Sequence, residues 1–208
     1  MSGQIVKNMS PKESVNQLVK NVVKSAFKKA GFAIDGNIFR KNESGFVKIF
    51  NIQNSHFNNT LSASFDMNGG LFFPLTYGWR FDWPLPEKPK IEHCQFEFRA
   101  ADLTGRHQSY IVSSDTDIKQ LEELVETELK DIVLWFESIT KLDDCLSAEK
   151  QIYPPGKNCN FEVALTHAEL GDLSRANEVF NVFIGNSIIK ESELSKMTAE
   201  AKRRGIKV

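Results

Sequence analysis

His93 and Cys94 stand side by side, and a thiol beside an imidazole is the pair from which a thiolate nucleophile is made. The surrounding residues argue against that use. Ile91 to Arg99 alternates like a strand, with Glu92, Cys94, Phe96 and Phe98 on one phase and Ile91, His93, Gln95 and Glu97 on the other. Neighbours in a strand point to opposite faces, so the two side chains do not meet and Cys94 reads as a structural cysteine. A nucleophilic Cys94 would need His56, His107 or His167 brought in from elsewhere. The four histidines show no i, i+4 or HxH spacing, and zinc sites usually carry at least one close ligand pair, so no metal site is expected. Asp143-Asp144 reads as the cap of a short helix, not a cation site. Gly36, Gly45, Gly69-Gly70 and Gly105 form no phosphate-cradling loop, and the G-x-S-x-G elbow is missing as well. No cofactor is called for. An enzyme built from this chain would use a dispersed site, with His56, His93 or His107 working beside Asp66 or Asp82.

The other chemically loaded stretch is an aromatic belt, Trp79-Arg80-Phe81-Asp82-Trp83-Pro84. In an extended segment Trp79, Phe81 and Trp83 project to one side, with Arg80 and Asp82 on the other. Large aromatics with arginine are what interface centres are made of, so Trp79, Arg80, Phe81 and Trp83 are the candidate binding residues. The competing reading has these rings covering the open face of a sheet. Pro84, Pro86 and Pro89 favour it, because proline suits a wrapped edge and not a central strand. Base stacking on the belt lacks interleaved basic residues. A formal net charge of −1 gives no grip on nucleic acid or an anionic membrane. The expected partner is a protein; no nucleic acid and no membrane are expected.

These residues need elements to hold them. Ser10, Pro11 and Glu13 make a capping box at the start of a helix, whose stripe is Val15, Leu18, Val19, Val22, Val23, Ala26, Phe27 and Ala30, closed by Gly31. Asn37 to Arg40 and Phe46 to Gln53 read as strands around a loop, Lys41 to Gly45. Thr60 to Met67 alternates, with Leu61, Ala63, Phe65 and Met67 on the apolar face, and Ser109 to Val112 is a further strand candidate. A long helix capped by Asp115 or Thr116 buries Ile118, Leu121, Val125, Leu129, Ile132, Phe136 and Ile139.

Strands first and helices later predict an α+β fold, an antiparallel sheet packed by the N-terminal helix and the long central helix. Tyr153-Pro154-Pro155-Gly156 divides the chain into an α+β domain, 1–152, and a helical extension, 153–208, packed on it. Helices near Phe161 to Leu170, Leu173 to Ile184 and Glu191 to Arg204 compose the extension. Its first two resemble one tetratricopeptide-style hairpin, and a single such unit cannot bury its own faces. The basic tail around Lys202, Arg203, Arg204 and Lys207 suits a helix C-terminus. Three scattered cysteines, no C-x-x-C, no apolar leader and no long apolar run predict a soluble cytoplasmic protein with free thiols.

Five features resemble a known family. They are the helix ending Gly31-Phe32, the Phe39-x-x-Asn42 step, and Val47 to Gln53 followed by Ser55. The others are the His93-Cys94 to Arg99 strand and the acidic, Leu-rich helix entering Trp135-Phe136. Together they resemble the bacterial domain-of-unknown-function 4304 family over about residues 10–147. The resemblance implies an α+β fold and supplies no catalytic residues. Some such small bacterial domains sit beside toxin systems, which implies an immunity-type, toxin-neutralising role as a special case of binding. By elimination, a non-enzymatic interaction protein is the leading expectation and the dispersed His/Asp enzyme the alternative.

Overall fold

The computed structural model of the chain describes residues 9–79, 83–106, 109–153 and 158–208. The first helix starts as its sequence requires. Ser10 N–H donates to Glu13 Oε2 at 2.8 Å and Glu13 N–H to Ser10 Oγ at 3.4 Å, with Pro11 in the first helical position. It runs as α1 (Pro11–Leu18), one π turn (Val19–Val23) and α2 (Lys24–Lys29). The π turn has no signature in the apolar stripe, which stays buried through Val23 and Phe27. Gly31, at φ +82°, ends the helix, and Phe32 N–H reaches back to Phe27 O at 3.0 Å.

Among the described residues six strands form one antiparallel sheet: β1 (Ala33–Asp35), β2 (Ile38–Glu43), β3 (Phe46–Asn54), β4 (Ser62–Phe72), β5 (Phe96–Arg99) and β6 (Tyr110–Ser113). The order is β1-β2-β3-β4-β5, and β6 shares β4's outer edge with β5. Three expectations are corrected here. The Lys41–Gly45 loop tightens to the two-residue turn Ser44-Gly45, because Asn42 and Glu43 pair with Val47 and Phe46 and Gly45 takes φ +91°. Strand β4 continues through Gly69-Gly70 to Phe72, while Leu61 lies outside it, 79 % exposed. Ile91–His93 is a turn of 3-10 helix, and the strand begins only at Phe96.

Residues opposite one another across the register share a face. The row Phe39, Phe50, Gly69 and Phe98 marks the core face. On it pack α1, α2 and α4 (Ile118–Ser138), with Phe27 stacked on Phe50 at 4.3 Å and Phe98 edge-on to Trp135 at 4.7 Å. The cap of α4 is Asp117, not Asp115 or Thr116: its carboxylate accepts from Lys119 and Gln120 N–H, while Thr116 Oγ1 accepts from Ser113 N–H at 2.8 Å. A short α3 (Ala100–Thr104) joins β5 to the path toward β6, and α5 (Leu142–Ile152) follows α4.

The last helices are α6 (Phe161–Glu169), α7 (Leu173–Asn186) and α8 (Glu191–Arg203). Their apolar side chains, including Phe161, Phe180 and Met197, join the same buried cluster as the sheet. Thr76 and Thr166 hydroxyls meet at 2.7 Å, and His167 lies against Phe96 at 5.4 Å. The basic tail is engaged from within: Arg203 and Arg204 both bond Glu200, and Arg204 also pairs with Glu169. Residues 154–157, where the sequence marks its boundary, lie outside the described residues. Among the described residues no helix is long and apolar enough to cross a membrane.

Candidate functional site

The second face of the sheet is built differently along its length. At one end it is apolar, with Ile49 and Phe72 buried. That end is covered by the strap between β4 and β5, which Gln95 clips shut: its side chain accepts from Phe73 N–H at 2.8 Å and donates to Phe73 O at 3.2 Å. Arg40 Nε holds the strap at Pro89 O, 2.6 Å away. Tyr77 packs on Phe72 at 5.2 Å and on His93 at 5.3 Å.

The other end of that face is polar and is left open. The alternation that buries Phe50 and Ile52 in β3 turns Asn51 and Gln53 outward, and β4 adds Asp66 and Asn68 opposite them. Arg99 of β5 faces Asn68. Two hollows of about 460 and 290 Å³ lie here and share Gln53. Glu97, Arg99, Asp102, Tyr153 and Asn158 line the larger; His56, Phe57, Asp66 and Ser109 line the smaller.

Between them stands Asp66. Its Oδ2 is 3.3 Å from Arg99 Nη1, and its Oδ1 accepts from Ser109 Oγ at 2.5 Å. Asp66 thus ties the end of β5 to the start of β6 where neither strand pairs with β4, since the registers stop at Phe65 on one side and Asn68 on the other. Asn68, 7 % exposed, donates to Gln53 Oε1 at 3.1 Å, and no partner among the described residues reaches the buried Asn51 Oδ1. Glu97 N–H donates to the Tyr153 hydroxyl at 2.9 Å, so the tyrosine oxygen is used as an acceptor and its proton points elsewhere. Burial pushes the Tyr153 phenol upward; burial, then the nearby Glu92, pushes the Glu97 carboxyl up. Among the described residues Asp66, Glu97 and Asp102 line the hollows against one cation, Arg99, an acidic balance.

The residues singled out in the sequence are distributed as follows. Trp79 is half-buried against Phe161, with ring centroids 4.9 Å apart. Trp83 is 55 % exposed, and its ring leans on Tyr77 at 6.4 Å. Trp83 N–H donates to Gly78 O at 3.2 Å, and the two tryptophans have different neighbours. Arg80, Phe81, Asp82 and His107 lie outside the described residues. His93 Nδ1 accepts from Lys90 N–H at 3.1 Å, while Cys94 is half-buried, its Sγ 3.7 Å from Lys90 O. Burial drives the Cys94 thiol well above its ordinary pKa, so a thiolate is disfavoured there. His56 and Asp66 share the smaller hollow.

His167 is fully buried 3.7 Å from Glu149, which lies 3.7 Å from Arg175. Asp144 caps α5, accepting from Thr140 and Lys141 N–H. Among the described residues no three His, Cys, Asp or Glu side chains are grouped to hold a metal ion.

Sequence reasoning did not single out Gln53, Asn68, Glu97, Arg99, Asp102 and Tyr153. The signal for the first two was present, since the polar phase of β3 and of β4 alternates cleanly. Tyr153 and Asp102 arrive by tertiary packing and leave no local trace. No curated protein and no solved structure matches the chain. Residues 23–138, more than half of it, match the family described as a domain of unknown function, DUF4304. That stretch spans β1 to β6 and all of α4, so it carries the sheet and the β3, β4 and β5 residues of the open polar face. The chain belongs to the DUF4304 family.

Proposed function

We propose that this protein is a non-enzymatic interaction protein that holds a basic segment of a partner protein on the open half of its sheet. The observation that carries the reading is the pair of linked hollows around Asp66, with three carboxylates to one arginine among the described residues. Such a surface selects cationic, donor-rich side chains and rejects acidic ones by like-charge cost. Phe57, Leu61 and Ile111, exposed by 90, 79 and 69 %, add apolar contact area near β6 and the loop before β4. Trp83, on the same side of the sheet, extends the docking surface, and Trp79 supports it by packing. Arg80 and Phe81, the other candidates of the belt, lie outside the described residues. An immunity-type role, in which the basic partner is a toxin, is the special case that the acidic balance suits best.

The test uses the full chain as bait in native lysate, beside a Glu97→Lys plus Asp102→Lys variant of unchanged circular dichroism. A basic partner captured by the wild type and lost by the variant supports the reading. The same partners on both baits refute it. A dispersed enzyme draws support from one observation, His56 and Asp66 lining the same hollow. Both Asp66 oxygens are already engaged by Arg99 and Ser109, which leaves the carboxylate poorly placed to orient His56.

A further inference from the structure

The larger hollow, of about 460 Å³, carries acceptors on walls that come from different elements. Glu97 stands on β5, Asp102 in α3 and Asn68 on β4. Among the described residues neither carboxylate takes part in an ion pair, and Arg99, the cation between them in the chain, pairs with Asp66 instead at 3.3 Å. Asp102 Oδ2 accepts from Arg99 N–H at 2.9 Å, and its Oδ1 has no partner among the described residues. Asn68 lines the hollow while only 7 % exposed. Its amide donates to Gln53 Oε1 at 3.1 Å, and its own carbonyl oxygen is left without a partner among the described residues. An acceptor so deeply set, beside two uncompensated carboxylates, calls for a donor brought by a ligand.

The spacing of these acceptors decides which donor fits. Glu97 and Arg99 are two residues apart on one face of β5, about 7 Å along the strand. Asn68 lies opposite Arg99 in the register, and Asp102 caps the Arg99 amide. The acceptors therefore fall into two groups, Glu97 at one end and Asn68 with Asp102 at the other. A lysine ammonium is a point charge and can sit at one group. A guanidinium is a flat fork of N–H donors and can bridge both. Tyr153, its hydroxyl anchored by Glu97 N–H, adds an aromatic wall of the kind on which a guanidinium stacks.

We propose that the larger hollow is an arginine pocket, which takes one arginine side chain of the partner's basic segment and prefers it to lysine. The inference rests on the reading of a basic partner given above and names the side chain that anchors it. In the pocket the guanidinium donates to Glu97 on one edge and to Asp102 and the Asn68 carbonyl on the other. Arg99 stays with Asp66 and forms the rim.

The experiment is fluorescence anisotropy of two labelled lysine-rich peptides, identical except for a central arginine or lysine, titrated with the full chain. The wild type is expected to bind the arginine peptide at least about tenfold more tightly. Glu97→Gln and Asp102→Asn keep the side-chain shapes and remove one charge each, and circular dichroism confirms their folding. Each should abolish the preference for arginine. Equal affinity of the wild type for the two peptides overturns the arginine pocket while leaving the basic-segment reading in place. A preference that survives both variants overturns it too, since the arginine is then held elsewhere. If neither peptide binds, the arginine pocket falls as well, and capture on the wild-type and Glu97→Lys plus Asp102→Lys baits decides the basic-segment reading on its own.

Discussion

Gly69→Ala is the substitution that tests most directly how the centre of the sheet is packed. A Cβ at position 69 would lie 2.3 Å from Cζ and 2.6 Å from Cε1 of Phe98. Ordinary contact needs about 3.4–4 Å, so the ring would have to retreat by more than about 1 Å. It has nowhere to go, being held edge-on by Trp135 at 4.7 Å with Phe136 behind at 6.2 Å. Overpacking of this kind costs about 1–3 kcal/mol, partly offset by the ~0.4–1 kcal/mol that alanine gains by restricting the unfolded chain. Phe98→Ala alone should cost about 3–5 kcal/mol as a large-to-small core change. With the ring gone, Gly69→Ala meets no obstacle and fills part of the space left. The double variant should therefore be more stable than additivity allows, by about 1–3 kcal/mol. Urea denaturation followed by far-ultraviolet circular dichroism measures all four corners of the cycle. Additivity within about 0.5 kcal/mol would show that Phe98 does not occupy the glycine's place and refute the reasoning.

Trp79→Ala should destabilise the protein by about 2 kcal/mol or more through the lost Phe161 contact, while Trp83→Ala should cost under about 1 kcal/mol; thermal melts of the two variants separate these outcomes. The Glu200 carboxyl is held at about 2, first by its hydrogen bonds to Arg203, then Arg204. A depressed folded pKa gives stability that is present above the ordinary value near 4.5 and lost as pH falls through it toward 2. Wild type should thus lose more stability than Glu200→Gln between those limits in acid-unfolding curves, and parallel curves would count against it. His167 is buried with neither ring nitrogen bonded among the described residues, so His167→Leu should leave stability unchanged or raise it by about 1 kcal/mol. Arg175→Ala, which strips the buried Glu149 of its cation, should cost about 3 kcal/mol, both read from urea midpoints. Burial, then Asp144, pushes the Cys145 thiol up to about 12, so native Cys145 should resist alkylation at neutral pH and react only on unfolding, as peptide mass spectrometry would show.

Where local chemistry dictates the structure, the sequence was readable. Ser10, Pro11 and Glu13 could only begin a helix, and the stripe from Leu121 to Ile139 could only face a core. The three C-terminal helices fall where their spacing places them. The misreadings share a physical cause. The alternation from Thr60 stops at Met67, yet the strand runs on through Gly69-Gly70, where Phe98 and Cys94 occupy the space that side chains would fill. Alternation across Ile91 to Arg99 suggested one strand, but Lys90 to Cys94 is taken up by the strap's last turn. Of the belt from Trp79 to Trp83 only the two tryptophans are described, and they part company, Trp79 against Phe161 and Trp83 against Tyr77. The turn at Gly78, at φ +65°, leaves no periodic sign. The candidate site was half legible: Asn51, Gln53, Asp66 and Asn68 follow from period-two alternation, whereas Tyr153 is brought to Glu97 from 56 residues away.

Asp66 carries a consequence for behaviour at high protein concentration. A sheet that ends in one long flat strand offers neighbours a row of unpaired amides and carbonyls, the template on which chains stack into aggregates. Here that border is broken into two four-residue pieces, β5 and β6, with a charged side chain fastening the break. No stretch is long enough to recruit a foreign strand in register, and an incoming chain would meet a carboxylate at the gap. Replacing Asp66 by an uncharged residue would leave the fold recognisable but unfasten the border, and the first symptom would be turbidity on storage before any loss of helix content.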